Sequence, residues 1–173
     1  MEKFGIEIKW AAIITLFLCV WGFVENRLGW HKDFSMIIVA TLLQYVFFIV
    51  LLFLAFLDKK NNYYNKQWTF KEALTFGIFL TGLLTILNPL AQYIIYQSIS
   101  PNYFDNLIEY QLAKGRSTRE ELLQIHNMEL KIREGVMNTL SMGVIFTGLF
   151  AFILKNKPHQ YESTQHTTNK TLR

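Results

Sequence analysis

The chain has 173 residues, 51% of them hydrophobic, 16% aromatic and 17% charged, with a formal net charge of +4 and a single cysteine. That length fits one domain, and charges gathered into a few stretches with long uncharged runs between them exclude a soluble fold of this size, whose helices would each keep a polar face. Cys19 alone cannot form an intramolecular disulfide or support two-cysteine redox chemistry, so it is expected to be a small packing residue.

Four runs are long enough to cross the roughly 30 Å hydrocarbon core, which takes about 20 helical residues. The expected fold class is all-α: an integral membrane bundle of four transmembrane helices, at about 6–24, 34–57, 73–95 and 136–154. An extracytoplasmic helical hairpin at about 100–134 joins the third and fourth spans, and the domain covers 1–155. Lys3 and Lys9 ahead of the first span resemble a secretory signal, but the run ends in Trp21, Phe23, Val24, Glu25, Asn26 and Arg27 with no small-x-small cleavage pattern, so it is expected to stay as a span. Glu25, beside Asn26 and Arg27, is expected at the interface. The second span is uncharged throughout and carries one amide, Gln44, a residue more often structural than solute-binding.

In lipid, helices associate where small residues at four-residue spacing let backbones approach. The third span has Ala73, Gly77, Thr81, Thr85 and Pro89 along one face, and the fourth has Thr139, Gly143, Thr147 and Ala151. These two faces are expected to pack together. Pro89 removes a backbone donor, so a kink is expected near Asn88, Pro89 and Gln92. Together with Gln44 the two amides either flank a polar path or bond freed carbonyls and a neighbouring helix. No ionisable residue falls at the centre of a span, which argues against proton-coupled pumping.

Four spans put both termini on one side, and basic residues in short segments decide which. Lys3, Lys9, the connection with Lys59, Lys60, Lys66 and Lys71, and Lys155, Lys157, Lys170 and Arg173 fall together. Arg27, Lys32, Lys114, Arg116, Arg119, Lys131 and Arg133 fall on the other side, offset by acids. The balance predicts cytoplasmic termini, with Trp10, Trp30 and Trp68 as interfacial anchors. The net charge then reflects attraction to membrane lipids rather than to nucleic acid.

The third connection is far longer than adjacent spans require. Pro101 opens a helix whose face is Phe104, Leu107, Ile108 and Leu112, ended by Gly115. Ser117 with Glu120 reads as a capping box, followed by a second helix with Leu122, Ile125, Met128 or Glu129, Ile132 and Val136 on its apolar side. This hairpin either binds a protein partner, with Phe104, Leu107, Leu122 and Ile125 as contacts, or caps the bundle. Tyr103, Tyr110, Asp105 and Glu109 are the candidates to line a site there, and nothing in their spacing requires one.

His31, His126, His159 and His166 lack metal-motif spacing, and no phosphate loop or nucleophile elbow occurs, so no metal, cofactor or enzymatic activity is expected. Residues 156–173 read as a disordered cytoplasmic tail.

Lys3-Phe4-Gly5, Leu28-Gly29-Trp30-His31, Phe70-Lys71-Glu72-Ala73 leading to Gly77 and Gly82, and Pro101-Asn102-Tyr103-Phe104-Asp105 before a charged helix recur in that order. In these the chain resembles, over roughly residues 3 to 155, a bacterial family catalogued as domain of unknown function 4199, best represented in Bacteroidetes. The resemblance implies a four-span protein of the bacterial inner membrane and brings no activity or ligand with it. The expected role is a non-enzymatic binding or scaffold component acting through the hairpin. Its rival is a small solute or ion transporter or channel subunit working as a homo-oligomer.

Overall fold

The computed structural model describes residues 4–115 and 117–156, and the expected tail lies outside the described residues apart from Asn156. Among the described residues six α-helices follow in order: α1 Gly5–Arg27, α2 Ile37–Asn62 behind a short 3-10 turn Phe34–Met36, α3 Phe70–Tyr93 continued as a π-helical stretch Ile94–Ile99, α4 Tyr103–Ala113, α5 Arg119–Ile125 and α6 Met128–Leu154. Four of the helical segments, Gly5–Arg27, Phe34–Asn62, Phe70–Ile99 and Met128–Leu154, are long and apolar enough to cross a membrane. This is a multi-pass membrane protein.

Local chemistry sets the helix ends. Gly29, at φ 78°, ends α1 in a left-handed turn in which the Gly29 and Trp30 amides bond back to the carbonyls of Asn26 and Glu25. Thr69 and Glu72 form a reciprocal capping box, so α3 starts at Phe70, three residues before the expected boundary. The sequence Ser117-Thr118-Arg119-Glu120-Glu121 offers two overlapping boxes. The chain uses Thr118 with Glu121 rather than Ser117 with Glu120, and the Ser117 hydroxyl donates to Glu121 instead. The second hairpin helix is also shorter than expected. It breaks at His126, and Asn127, whose side chain accepts from the Leu130 amide, starts a new helix that runs unbroken into the fourth span.

α3 and α6 form the centre of the bundle through the two small-residue stripes. Gly77 lies against Thr147 and Phe56, Gly143 against Thr81, and the Thr81 and Thr147 hydroxyls face each other at 3.4 Å. Asn88 Nδ2 donates to Thr139 Oγ1 at 3.0 Å, and Thr85 donates to the Thr81 carbonyl at 2.8 Å. α2 is peripheral. Only 17% of its most apolar window is buried, against 39% for α3, which leaves Ile38, Leu42 and Val46 on a lipid-facing surface.

The core fills the end of the bundle that holds the two terminal segments. Phe56 meets Trp68, Phe76 and Phe150 edge-on at 5.0–5.8 Å, and the Trp68 indole donates to the Leu154 carbonyl at 3.0 Å. Trp68 is fully buried, so it is a core plug and not the interfacial anchor expected. Lys59 likewise turns inward: it pairs with Glu7 at 2.9 Å, both side chains at most 5% exposed, while Lys60 donates to the Leu154 carbonyl. These two lysines satisfy the chain itself rather than lipid headgroups.

Candidate functional site

At the opposite end, the four long helices separate around a cavity of about 250 Å³. α1 contributes Trp21 and Glu25, the following turn Trp30 and His31, α2 Gln44 and Tyr45, α3 Asn88 and Gln92, the π-helical stretch Tyr96, α4 Tyr103, and α6 Lys131, Glu134 and Thr139. Pro89 lies inside α3 and the π-helical stretch follows it, ending where the Ser100 amide bonds the Ile95 carbonyl at 2.8 Å. A helix interrupted in this way widens and shifts its side chains, a geometry that recurs at functional sites. Ile95 seats on Gly22, where a Cβ would fall 2.9 Å from its side chain. Gly135 does the same service on the other wall, since a Cβ there would stand 2.6 Å from Asn88 Oδ1 and from Gln92 Nε2.

The mouth is charged and aromatic, the floor amide-lined. His31 Nε2 lies 3.2 Å from Glu25 Oε2, and the Lys131 ammonium donates to Glu134 at 3.1 Å. Tyr103 packs on His31, Phe34 and Tyr96 with centroids 4.5–5.5 Å apart, and its burial pushes the phenol above the usual tyrosine value. α4 is thereby fixed over the cavity, and the Asn106 amide donating to the His31 carbonyl at 3.0 Å ties it to the first connection. Outside the spans, burial followed by the Lys131 charge holds His126 below the usual histidine value; its ring meets Gln111 at 2.8 Å and joins α5 to α4.

Four buried side-chain atoms have no hydrogen-bond partner among the described residues: Trp21 Nε1, His31 Nδ1, Asn88 Oδ1 and Gln92 Oε1. All four residues line this one cavity. A buried polar atom without a partner costs about 1–3 kcal/mol, so such atoms are scarce and their convergence marks a place where something else completes the bonds.

Comparison with protein families finds a match over residues 9–156 to the family described as Protein of unknown function (DUF4199). The chain belongs to this family. No curated protein and no solved structure matches it.

In this DUF4199 protein the amides singled out from sequence, Gln44, Asn88 and Gln92, do share one cavity, whereas Pro89 does not line it. Glu25, expected at the interface, faces the same space with its side chain 15% exposed. Of the residues expected to meet a partner, Leu122 is buried within the chain, while Phe104, Ile125 and the largely buried Leu107 border a groove beside α6. Tyr110 packs on Phe34, and the exposed Glu109 pairs with Arg119 at 2.6 Å. Sequence reasoning did not assign Trp21, His31, Tyr96, Lys131 or Glu134 to a site. The one legible signal was Gly135, which extends the Thr139, Gly143 and Thr147 stripe by one turn.

Proposed function

We propose that the protein is a non-enzymatic binding component that holds a small polar or amphipathic molecule in the cavity between its spans, with α4 as the cover. The carrying observation is the convergence of all four unpartnered buried polar atoms on that cavity. A ligand offering donors and acceptors would complete them, and aromatic walls with a few placed polar groups are what small-molecule sites use. In this reading the termini are cytoplasmic and the cavity mouth faces the outer side of a bacterial inner membrane, as the basic residues of the connection after α2 favour. In this reading the binding element is the cavity beneath α4, not the outer surface of the two short helices.

Native mass spectrometry of the intact protein extracted from its own membranes tests this. A one-to-one noncovalent adduct on the wild-type protein, lost from Asn88→Leu with Gln92→Leu, is the expected result. Bare protein in both cases overturns it. A transport reading is favoured by one observation, that Gln44, Asn88 and Gln92 lie together inside the bundle. Solute flux through liposomes that falls with Asn88→Leu would replace binding by transport.

A further inference from the structure

The cavity is not isolated. A groove of about 490 Å³ runs beside it between α4, the end of α5 and the start of α6, and Ile37, Tyr103, Lys131 and Glu134 line both spaces. The wall between them is thus one layer of side chains. Tyr103 is fixed in it by packing on His31, Phe34 and Tyr96. Lys131 and Glu134 are long side chains one turn apart on α6, bonded to each other at 3.1 Å, and the Glu134 side chain is 59% exposed. A change of rotamer in this pair joins the two spaces.

The two halves differ in what they leave unsatisfied. In the cavity, Asn88 Oδ1 and Gln92 Oε1 can accept and Trp21 Nε1 can donate, and none of the three has a partner among the described residues. In the groove the polar side chains are already engaged. Gln111 meets His126 at 2.8 Å, Asn127 accepts from the Leu130 amide and donates to the Gln124 carbonyl, and Lys131 holds Glu134, with Arg133 exposed to solvent. What remains there is apolar: Ile37, Phe104, Leu107, Ile125, Leu130 and Met137. Ile37 and Met137 are exposed and stand on spanning segments, so this side of the groove meets the hydrocarbon.

An unsatisfied polar pocket beside a satisfied apolar groove fits one molecule with a polar head and a hydrocarbon tail. We propose that the ligand is a membrane amphiphile: its head bonds to Asn88 and Gln92 in the cavity, and its tail lies along the groove past Ile37 and Met137 into the adjoining leaflet. It enters from the membrane rather than from water. This rests on the binding function proposed above.

The full chain in phosphatidylcholine nanodiscs is photolabelled with a monoacylglycerol carrying a diazirine in its acyl chain, a probe whose glycerol head both donates and accepts. Labelled residues are mapped by mass spectrometry. The expected result is saturable labelling of Phe104, Ile125, Leu130 and Met137, displaced by excess unmodified monoacylglycerol but not by glycerol, over a non-saturable background on the lipid-facing Leu42 and Val46. Asn88→Leu with Gln92→Leu should raise the probe concentration for half-maximal groove labelling at least about tenfold, the scale of two lost hydrogen bonds, although neither residue lines the groove. Those substitutions also remove the bond to Thr139, so Ile125→Trp, at an exposed position, supplies a second arm. It fills the groove and should abolish labelling there while leaving that of Leu42 and Val46 unchanged. Groove labelling that ignores the cavity substitutions overturns the joined head-and-tail site and leaves an ordinary lipid contact. Labelling confined to Leu42 and Val46 overturns the amphiphile too. The binding reading fails separately, through the adduct measurement: an adduct whose released molecule stays in water on chloroform extraction overturns the amphiphile and keeps the binding cavity.

Discussion

Replacing Gly143 by alanine tests whether the α3–α6 contact holds the bundle together. A methyl group there would stand 2.7 Å from Thr81 Oγ1 and 3.1 Å from Thr81 Cβ. Thr81 cannot yield: it is β-branched, 1% exposed, and its hydroxyl faces Thr147 at 3.4 Å. The helices must therefore separate. Overpacking of this kind costs about 1–3 kcal/mol and the lost interhelical hydroxyl contact adds about 0.6 kcal/mol, so the variant should lose about 2–3 kcal/mol. For a chain of this size that is a fall of about 5–10 °C in melting temperature, followed by circular dichroism in mild detergent. Gly82→Ala and Gly148→Ala, where a Cβ meets nothing within 4 Å, should be neutral or slightly stabilising because alanine is the better helix former. Adding Thr81→Ala to Gly143→Ala should recover most of the loss. A Gly143→Ala protein that melts with the wild type, or a Gly82→Ala protein that falls as far, would refute the reasoning.

Lys59→Met should destabilise by about 3–5 kcal/mol in denaturant unfolding, because it strands the buried Glu7 carboxylate, while Glu7→Leu with Lys59→Met should recover most of that. The lowered His126 value means that the opened α5 takes up a proton more readily than the packed one. The contribution of the α4–α5 contact is thus present above about pH 6.5 and lost as the pH falls below it, so amide exchange in α5, corrected for intrinsic rates, should speed up at pH 5.5 and do so less in His126→Gln. Topology reporters fused after Lys66 should report the cytoplasm and at Gly115 the opposite side, and a cytoplasmic signal at Gly115 would reverse the orientation.

The spans were legible because their signal is one-dimensional: uninterrupted apolar runs bounded by charge. The α3–α6 stripes were legible for a related reason, since four-residue spacing alone puts Gly77 with Thr81 and Gly143 with Thr147 on one helix face. Helix ends were less so. Ser117 and Thr118 are each followed three residues later by a glutamate, and spacing does not say which box forms. Lys59 looked like a headgroup anchor because its partner Glu7 is 52 residues away in the chain. The cavity was half visible. Gln44, Asn88 and Gln92 stand out as amides in apolar runs, but His31, Tyr96, Tyr103 and Lys131 come from a loop, a π-helical stretch, a short helix and the foot of a span. Nothing in their local sequence marks that they meet.

The central claim is that a bound molecule completes the buried polar atoms of the cavity. A high-resolution structure of the protein taken from its native membranes and never exchanged into ligand-free lipid tests it most directly. The account predicts continuous density inside the cavity, reaching Asn88 and Gln92 and too connected for solvent. Separate water peaks bonding Trp21 Nε1, His31 Nδ1, Asn88 Oδ1 and Gln92 Oε1 one by one would contradict it, and would make the cavity a hydrated packing feature of the bundle.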